Sequence, residues 1–227
     1  MMTTPLINQI IRSKRRTLGL QINSQAQLIV RAPHRASMDD ILRLVNGKLT
    51  WIQKHQTRLQ FSLKDQAPPR SFSTGETFLV LGDPRPLTVL PATAQPLSST
   101  ETEFILDERC RPNAKAHFES WYRALALSLI PNRAATMSQQ AGLSYSSLRI
   151  SGAQTRWGSC SRRGRLNFSW RLAMAPLWVI DYVIAHELAH LVHHNHSHQF
   201  WAQVDKLFPN YKEARRWLRK NQAQMEL

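Results

Sequence analysis

Two cysteines, Cys110 and Cys160, are all that 227 residues contain. That excludes a disulfide framework, and their spacing excludes a Cys-x-x-Cys redox or zinc pair, so any metal site must be built from histidine and carboxylate. Long apolar runs are also missing. No stretch of about 18 apolar residues is available for a membrane span, and the opening MMTTPLINQIIRSKRR lacks the basic start, apolar centre and small-residue cleavage site of a secretory signal. A cytoplasmic protein without membrane contact is expected. Acidic residues are scarce too, 15 Asp and Glu against 30 Lys and Arg, for a net charge of +15 and a pI near 10.9. Up to Asp107 there are 13 basic and 8 acidic residues, and beyond it 17 and 7. The carboxy-terminal half is therefore the more cationic, which favours encounter with nucleic acid or other polyanions.

Hydrophobic residues make up 42% of the chain, enough to fill a core. Leu18, Leu20 and Ile22 alternate with polar neighbours, as do Leu28 and Val30 beyond the turn-like Asn23-Ser24. That period predicts a hairpin. Ser37 with Asp40 three residues on resembles a capping box, opening a helix to about residue 59. Short strands are expected around 77–81, 87–90 and 103–106, separated by Gly82-Asp83-Pro84 and by a polar hairpin loop from Pro91 to Thr100. From Asn113 the spacing is helical, with Pro131 expected to kink or restart the helix and Gly142 to end it. Leu148 and Ile150 read as a strand, followed by the polar loop GAQTRWGSCSRRGR. In LNFSWRL, Leu166, Phe168, Trp170 and Leu172 face one way and Asn167, Ser169 and Arg171 the other. That pattern predicts a strand with one side open to solvent or substrate, a suitable edge for pairing an extended peptide. The division expected is an amino-terminal α/β region over 1–107 and a catalytic domain over 108–227.

The stretch HELAHLVHHNHSHQFW places six of the nine histidines in thirteen positions. Asp181 to His193 holds neither Gly nor Pro and carries the apolar stripe Ile180, Val183, Ile184, Leu188, Leu191, so a buried helix is predicted. His186 and His190 then stand one turn apart, where both imidazoles can meet one ion. Glu187 is rotated about 100° from His186, placed to miss a metal yet reach a water bound to it. A catalytic zinc needs a third protein ligand and an open position. His193 is about 10.5 Å further along the axis than His186. His196 lies past Asn195, a residue suited to a left-handed helix end, and just before Ser197, a good cap for the next helix. The spacing favours His196 as third ligand, with His193 a distant second and His194 and His198 exposed or facing substrate. The expected cofactor is one Zn2+ per chain, with Glu187 as general base.

The segments RWGSCS (156–161), LNFSWRLAMAPLWVIDYVIAHELAHL (166–191) and NHSHQFW (195–201), with RSKRRTLGLQI and LIVRAPHRAS near the amino terminus, resemble the YgjP-like zinc metallopeptidases, relatives of the SprT and WLM proteases within the zincins. The resemblance implies an α+β fold with a zincin-like domain bearing an HExxH active-site helix. It also implies zinc on His186, His190 and His196, and Glu187 as catalytic acid/base. The chain departs from the family pattern at His194, where many relatives have Pro, and at Ala189, where they have Cys. The spacing of HExxH and a His six residues later resembles the metzincins, but His193 stands where that clan has Gly, so the chain is not placed there. Arg156, Asn167 and Ser169 are candidate substrate contacts, and Arg162, Arg163 and Arg165 form a basic loop that can meet nucleic acid, as the SprT comparison implies. A peptide or protein is the expected substrate. Two alternatives stay open: hydrolysis of nucleotides or other phosphate compounds, for which no phosphate-cradling Gly motif exists, and a nucleic-acid-binding module. Oligomeric state is not legible.

Overall fold

A computed structural model describes residues 7–23, 25–57 and 70–227, and the helical backbone of 58–64. Ser24 of the expected turn lies outside the described residues. Two units divide at Gln66/Ala67. In the first, β1 (Ile7–Ser13), β2 (Gly19–Ile22) and β3 (Leu28–Pro33) form a sheet in the order β1-β3-β2, followed by α1 (Met38–Asn46) and α2 (Leu49–Lys64). The hairpin is as expected: β2 and β3 pair antiparallel from Gly19↔Arg31 to Ile22↔Leu28. The strand β1, parallel to β3, was not legible, because INQIIRS lacks strict alternation. Ser37 caps α1, its hydroxyl donating to the Asp40 carboxylate at 2.6 Å and accepting the Asp40 N–H. The single expected helix is broken at Gly47. Leu28, Val30, Ala32, Ile41, Val45 and Ile52 form this unit's own core.

The second unit contains β4 (Thr77–Val80), β5 (Asp83–Leu90), β6 (Leu97–Ser99), β7 (Phe104–Asp107), α3 (Ala114–Gln140), β8 (Ser147–Ser151), β9 (Gly158–Cys160), β10 (Arg165–Ser169), α4 (Leu177–Ala189), α5 (His198–Leu207) and α6 (Tyr211–Asn221). Its sheets run β4-β5-β7-β6 and β8-β10-β9. The expected boundary after Asp107 is therefore displaced. Phe78, Leu87, Phe104 and Leu106 share one core with Phe118, Tyr122, Trp170 and Ile184, and cutting after Asp107 would divide that core. The stretch expected as a plain loop at 91–100 contains β6. Both prolines of β5, Pro84 and Pro86, fall in the half that pairs only with β4, where a missing N–H breaks no second ladder. Pro131 neither restarts nor ends α3, which runs through it for 27 residues. Gly142 follows that helix at φ +64°, as expected of a terminating glycine.

Two devices position α4. The Arg133 guanidinium donates two hydrogen bonds of 2.6 Å to the Asp181 carboxylate, tying α3 to the second turn of α4. The two-residue β4–β5 turn has both Leu81 (φ +52°) and Gly82 (φ +94°) in the left-handed region. Leucine is a poor choice there, but its N–H and that of Gly82 donate to the carbonyls of Ala173 and Met174, just ahead of α4. A Cβ on Gly82 would lie 2.5 Å from Pro176 Cγ, at the start of the helix.

Gly82→Ala should accordingly cost about 2 kcal/mol, read as a lower urea midpoint at unchanged slope. A second test concerns acid. The buried Asp107 carboxylate accepts from the Arg109 side chain at 2.8 and 2.6 Å and from the backbone of Arg109 and Thr93, and these bonds hold its pKa well below the ordinary carboxylate value. Its ionised form binds best in the fold, so its contribution is complete above about pH 4 and declines as the pH falls towards the depressed value. Asp107→Asn should flatten that acid limb in denaturation series from pH 6 to 2.

Candidate active site

Helix α4 is apolar on nearly every side, with Val179, Ile180, Val183, Ile184, Ala185, Leu188 and Ala189 at 3% exposure or less. That environment desolvates whatever polar groups it carries. It ends at Ala189, four residues earlier than expected, with His190 at its cap in right-handed geometry. Asn195 is not among the residues with positive φ. The chain reverses instead through a turn at 190–192, where His193 N–H donates to the Ala189 carbonyl. Ser197 then caps α5, accepting the Phe200 N–H as expected. Asn210, by contrast, makes no side-chain bond to cap α6.

The reversal brings three imidazoles together. One nitrogen from each of His186, His190 and His196 lies within 4.8 Å of the other two. His186 Nε2 and His196 Nε2 face each other at 3.2 Å, while His190 Nδ1 lies 3.0 Å from the His193 carbonyl. A carbonyl only accepts, so His190 carries its proton on Nδ1 and leaves Nε2 with a lone pair for a ligand. Phe200, fully buried, packs its ring 4.9, 4.4 and 4.8 Å from the centroids of His186, His190 and His196. No local pattern in the sequence relates Phe200 to all three rings. His193 serves through its carbonyl, His194 lines the cleft, and His198 is exposed at the start of α5.

Burial and the neighbouring imidazoles hold His186 down to about 3, and burial also lowers His190. Both are neutral at physiological pH, as metal ligands must be. Burial pushes the Glu187 carboxyl up to about 8, against the pull of the Arg156 guanidinium. Glu187 Oε2 and His186 Nδ1 are buried with no hydrogen-bond partner. Ring nitrogens of His186 and His196 meeting at 3.2 Å, with the orphaned Glu187 oxygen buried beside His186, form a pocket rich in potential donors to a cation. A divalent cation on the three Nε-side donors fits that pocket, and three neutral imidazoles suit zinc. Glu187 is not among the clustered donors, which leaves it free to act as a base.

The close neighbour of Glu187 is Gly158 in β9. A Cβ there would stand 2.6 Å from Glu187 Oε1 and 2.7 Å from its Cγ, so only glycine admits the carboxyl this near the strand. The signal for it, a Gly in RWGSCS, was visible but had no partner to give it meaning. A cleft of about 420 Å³ opens over these groups, lined by Gly158, Ser159, Cys160, Arg162, Glu187, His194 and the three imidazoles. Cys160 is no poised nucleophile, since burial and Glu187 push its thiol up to about 11.

The strand placement differs from expectation. β10 is the middle strand, parallel to β8 on one side and antiparallel to β9 on the other, so it offers no free edge. It also stops at Ser169, and Trp170–Met174 form a 3-10 turn. Ser169 is buried, its hydroxyl donating to the Ala153 carbonyl and accepting the Arg171 N–H, and neither it nor Asn167 lines the cleft. Arg156 is exposed and reaches Glu187 through its charge. β8 and β9 are the edges, and the one that borders the cleft is β9, drawn from what read as a loop.

The family model of the YgjP-like metallopeptidase domain matches residues 16–221. The chain belongs to the YgjP-like metallopeptidase family. The match reaches into both units of this metallopeptidase and takes in β2 and β3 of the amino-terminal sheet, while β1 precedes it. No curated protein matches the chain. Among solved structures, the metallopeptidase zymogen of Pyrococcus abyssi abylysin is similar at 24% identity, over 40% of this chain and 94% of that one, with a TM-score of 0.37. The metallopeptidase contains no helix, among the described residues, long and apolar enough to cross a membrane.

Gly158→Ala should displace the Glu187 carboxyl by a fraction of its length. Peptidase kcat/KM is expected to fall about 10²-fold while bound metal per chain, measured by atomic emission, stays unchanged.

Proposed function

We propose that this metallopeptidase is a zinc-dependent hydrolase of peptide bonds, with zinc held by His186, His190 and His196 and Glu187 as the general base. One observation carries the reading: three imidazole nitrogens within 4.8 Å of one another, beside a buried, unpartnered carboxyl, at the floor of an open cleft. Membership of a metallopeptidase family favours peptides over nucleotides as substrate.

Zinc, when bound, supplies a Lewis acid that polarises a carbonyl and acidifies water. The chain's own groups do the rest. His190 is held in the ligating tautomer by the His193 carbonyl, and Phe200 keeps all three rings from turning away. Glu187 Oε2 accepts a proton from the attacking water and returns it to the departing amine. Its burial favours the protonated form it must adopt midway, and a cation nearby favours the ionised form it must start from. The free side of β9 runs along the cleft, where backbone groups of Gly158–Cys160 can pair with an extended substrate.

The decisive variant is Glu187→Gln, which keeps the shape and removes the base. It should bind zinc as the parent does and lose turnover of an unfolded polypeptide by 10²-fold or more. Dialysis against a chelator should abolish the parent's activity, and added zinc should restore it. Cleavage surviving in Glu187→Gln, or unaffected by chelation, would refute the assignment.

A further inference from the structure

The wall of the cleft has a charge that catalysis does not use. Arg162 is exposed and lines the cleft beside β9. The only carboxylate in that lining is Glu187, buried at its floor. Among the described residues Arg162 forms no ion pair and no side-chain hydrogen bond. Its backbone, however, is well fixed. The β9–β10 connection is a turn in which Gly164 N–H donates to the Ser161 carbonyl and Ser161 N–H to the Arg165 carbonyl, with Gly164 at φ +68°. This is the geometry of a tight hairpin closed by a glycine bulge. The turn is pinned further where the Ser161 hydroxyl accepts the Arg165 N–H and where Ser146 bonds the carbonyls of Arg163 and Gly164. A rigid turn thus holds an uncompensated guanidinium at the end of the edge strand.

A peptide paired with β9 would pass its side chains beneath that guanidinium. Main-chain pairing is indifferent to sequence, so selectivity must come from groups flanking the strand. A fork of N–H donors with no acceptor of its own suits a carboxylate. We propose that Arg162 reads an acidic side chain of the substrate, so that this metallopeptidase prefers peptides with Asp or Glu near the scissile bond. The inference rests on the peptidase reading of the cleft and adds a substrate class to it. The general excess of positive charge in this half of the chain would draw acidic segments to the surface, but among the residues that line the cleft Arg162 alone is an Arg or Lys.

The test uses peptide sets identical except for Glu, Gln or Lys at successive positions. Binding is measured by anisotropy on the zinc-loaded Glu187→Gln protein, and cleavage on the zinc-loaded parent. At one position the parent should favour Glu over Gln by about three- to fivefold at low salt, and the ratio should shrink as salt is raised, since the pair is exposed. Arg162→Gln should bring the Glu/Gln ratio to one, and Arg162→Glu should shift the preference to Lys. Arg163→Gln, which removes the same charge from the neighbouring residue outside the cleft lining, should leave the ratio in place. A ratio of one in the parent, or one that persists in Arg162→Gln, overturns the proposal. Selective binding without cleavage of any peptide would uphold Arg162 as the reader while refuting the peptidase reading, so the two failures are distinguishable.

Discussion

A helix that is apolar almost all round takes His186 and Glu187 out of water, and the rest of the site follows from that desolvation. Neutral imidazoles offer lone pairs, and a buried carboxyl with an unpartnered oxygen is one whose charged form a nearby cation would stabilise. Neither condition would arise on a solvated helix face, where the same histidines would be hydrated and free to protonate. The surrounding structure preserves the arrangement. Phe200 fills the space behind three rings, the His193 carbonyl orients one of them, and the Arg133–Asp181 pair holds the helix that bears His186 and is capped by His190.

The sheet beside this helix separates support from access. β10 is buried in the middle and contributes Leu166, Phe168 and Ser169 to the interior, while β9 is short, lies at the edge and borders the cleft. A central strand has both rows of backbone groups engaged, and only an edge can add another strand. Gly158 joins the two, because the absence of a side chain lets the edge come against the Glu187 carboxyl. Arg162 stands in the turn just beyond β9, so the strand that borders the cleft, the glycine beside Glu187 and the cleft's guanidinium all belong to one short hairpin facing α4.

The fold as a whole also depends on contacts distant in sequence. The β4–β5 turn is strained at Leu81, yet its two N–H groups are the ones that bond the segment leading into α4. The strands from Thr77 to Asp107 belong with that helix because their aromatic and aliphatic faces meet α3 and Trp170, whereas the first sheet buries its side chains among its own two helices.

Periodicity and spacing sufficed for the elements whose information is local. The β2–β3 hairpin, the Ser37 and Ser197 caps, the end of α3 near Gly142 and the grouping of His186, His190 and His196 were all legible, because a turn of helix or an alternating strand relates residues only a few positions apart. Strand order was not. LNFSWRL has one apolar face whether it lies in the middle of a sheet or at its rim, and RWGSCS reads as loop until a neighbour pairs with it. Asn167 and Ser169, expected to face substrate, lie on the central strand outside the cleft lining, and Gly158 and Phe200 were passed over. The sequence alone determined which side chains could hold a metal and supply a base, since helical geometry acts over four residues; only tertiary structure decided which strand borders them and which ring seats them, since those contacts join segments that no local pattern relates.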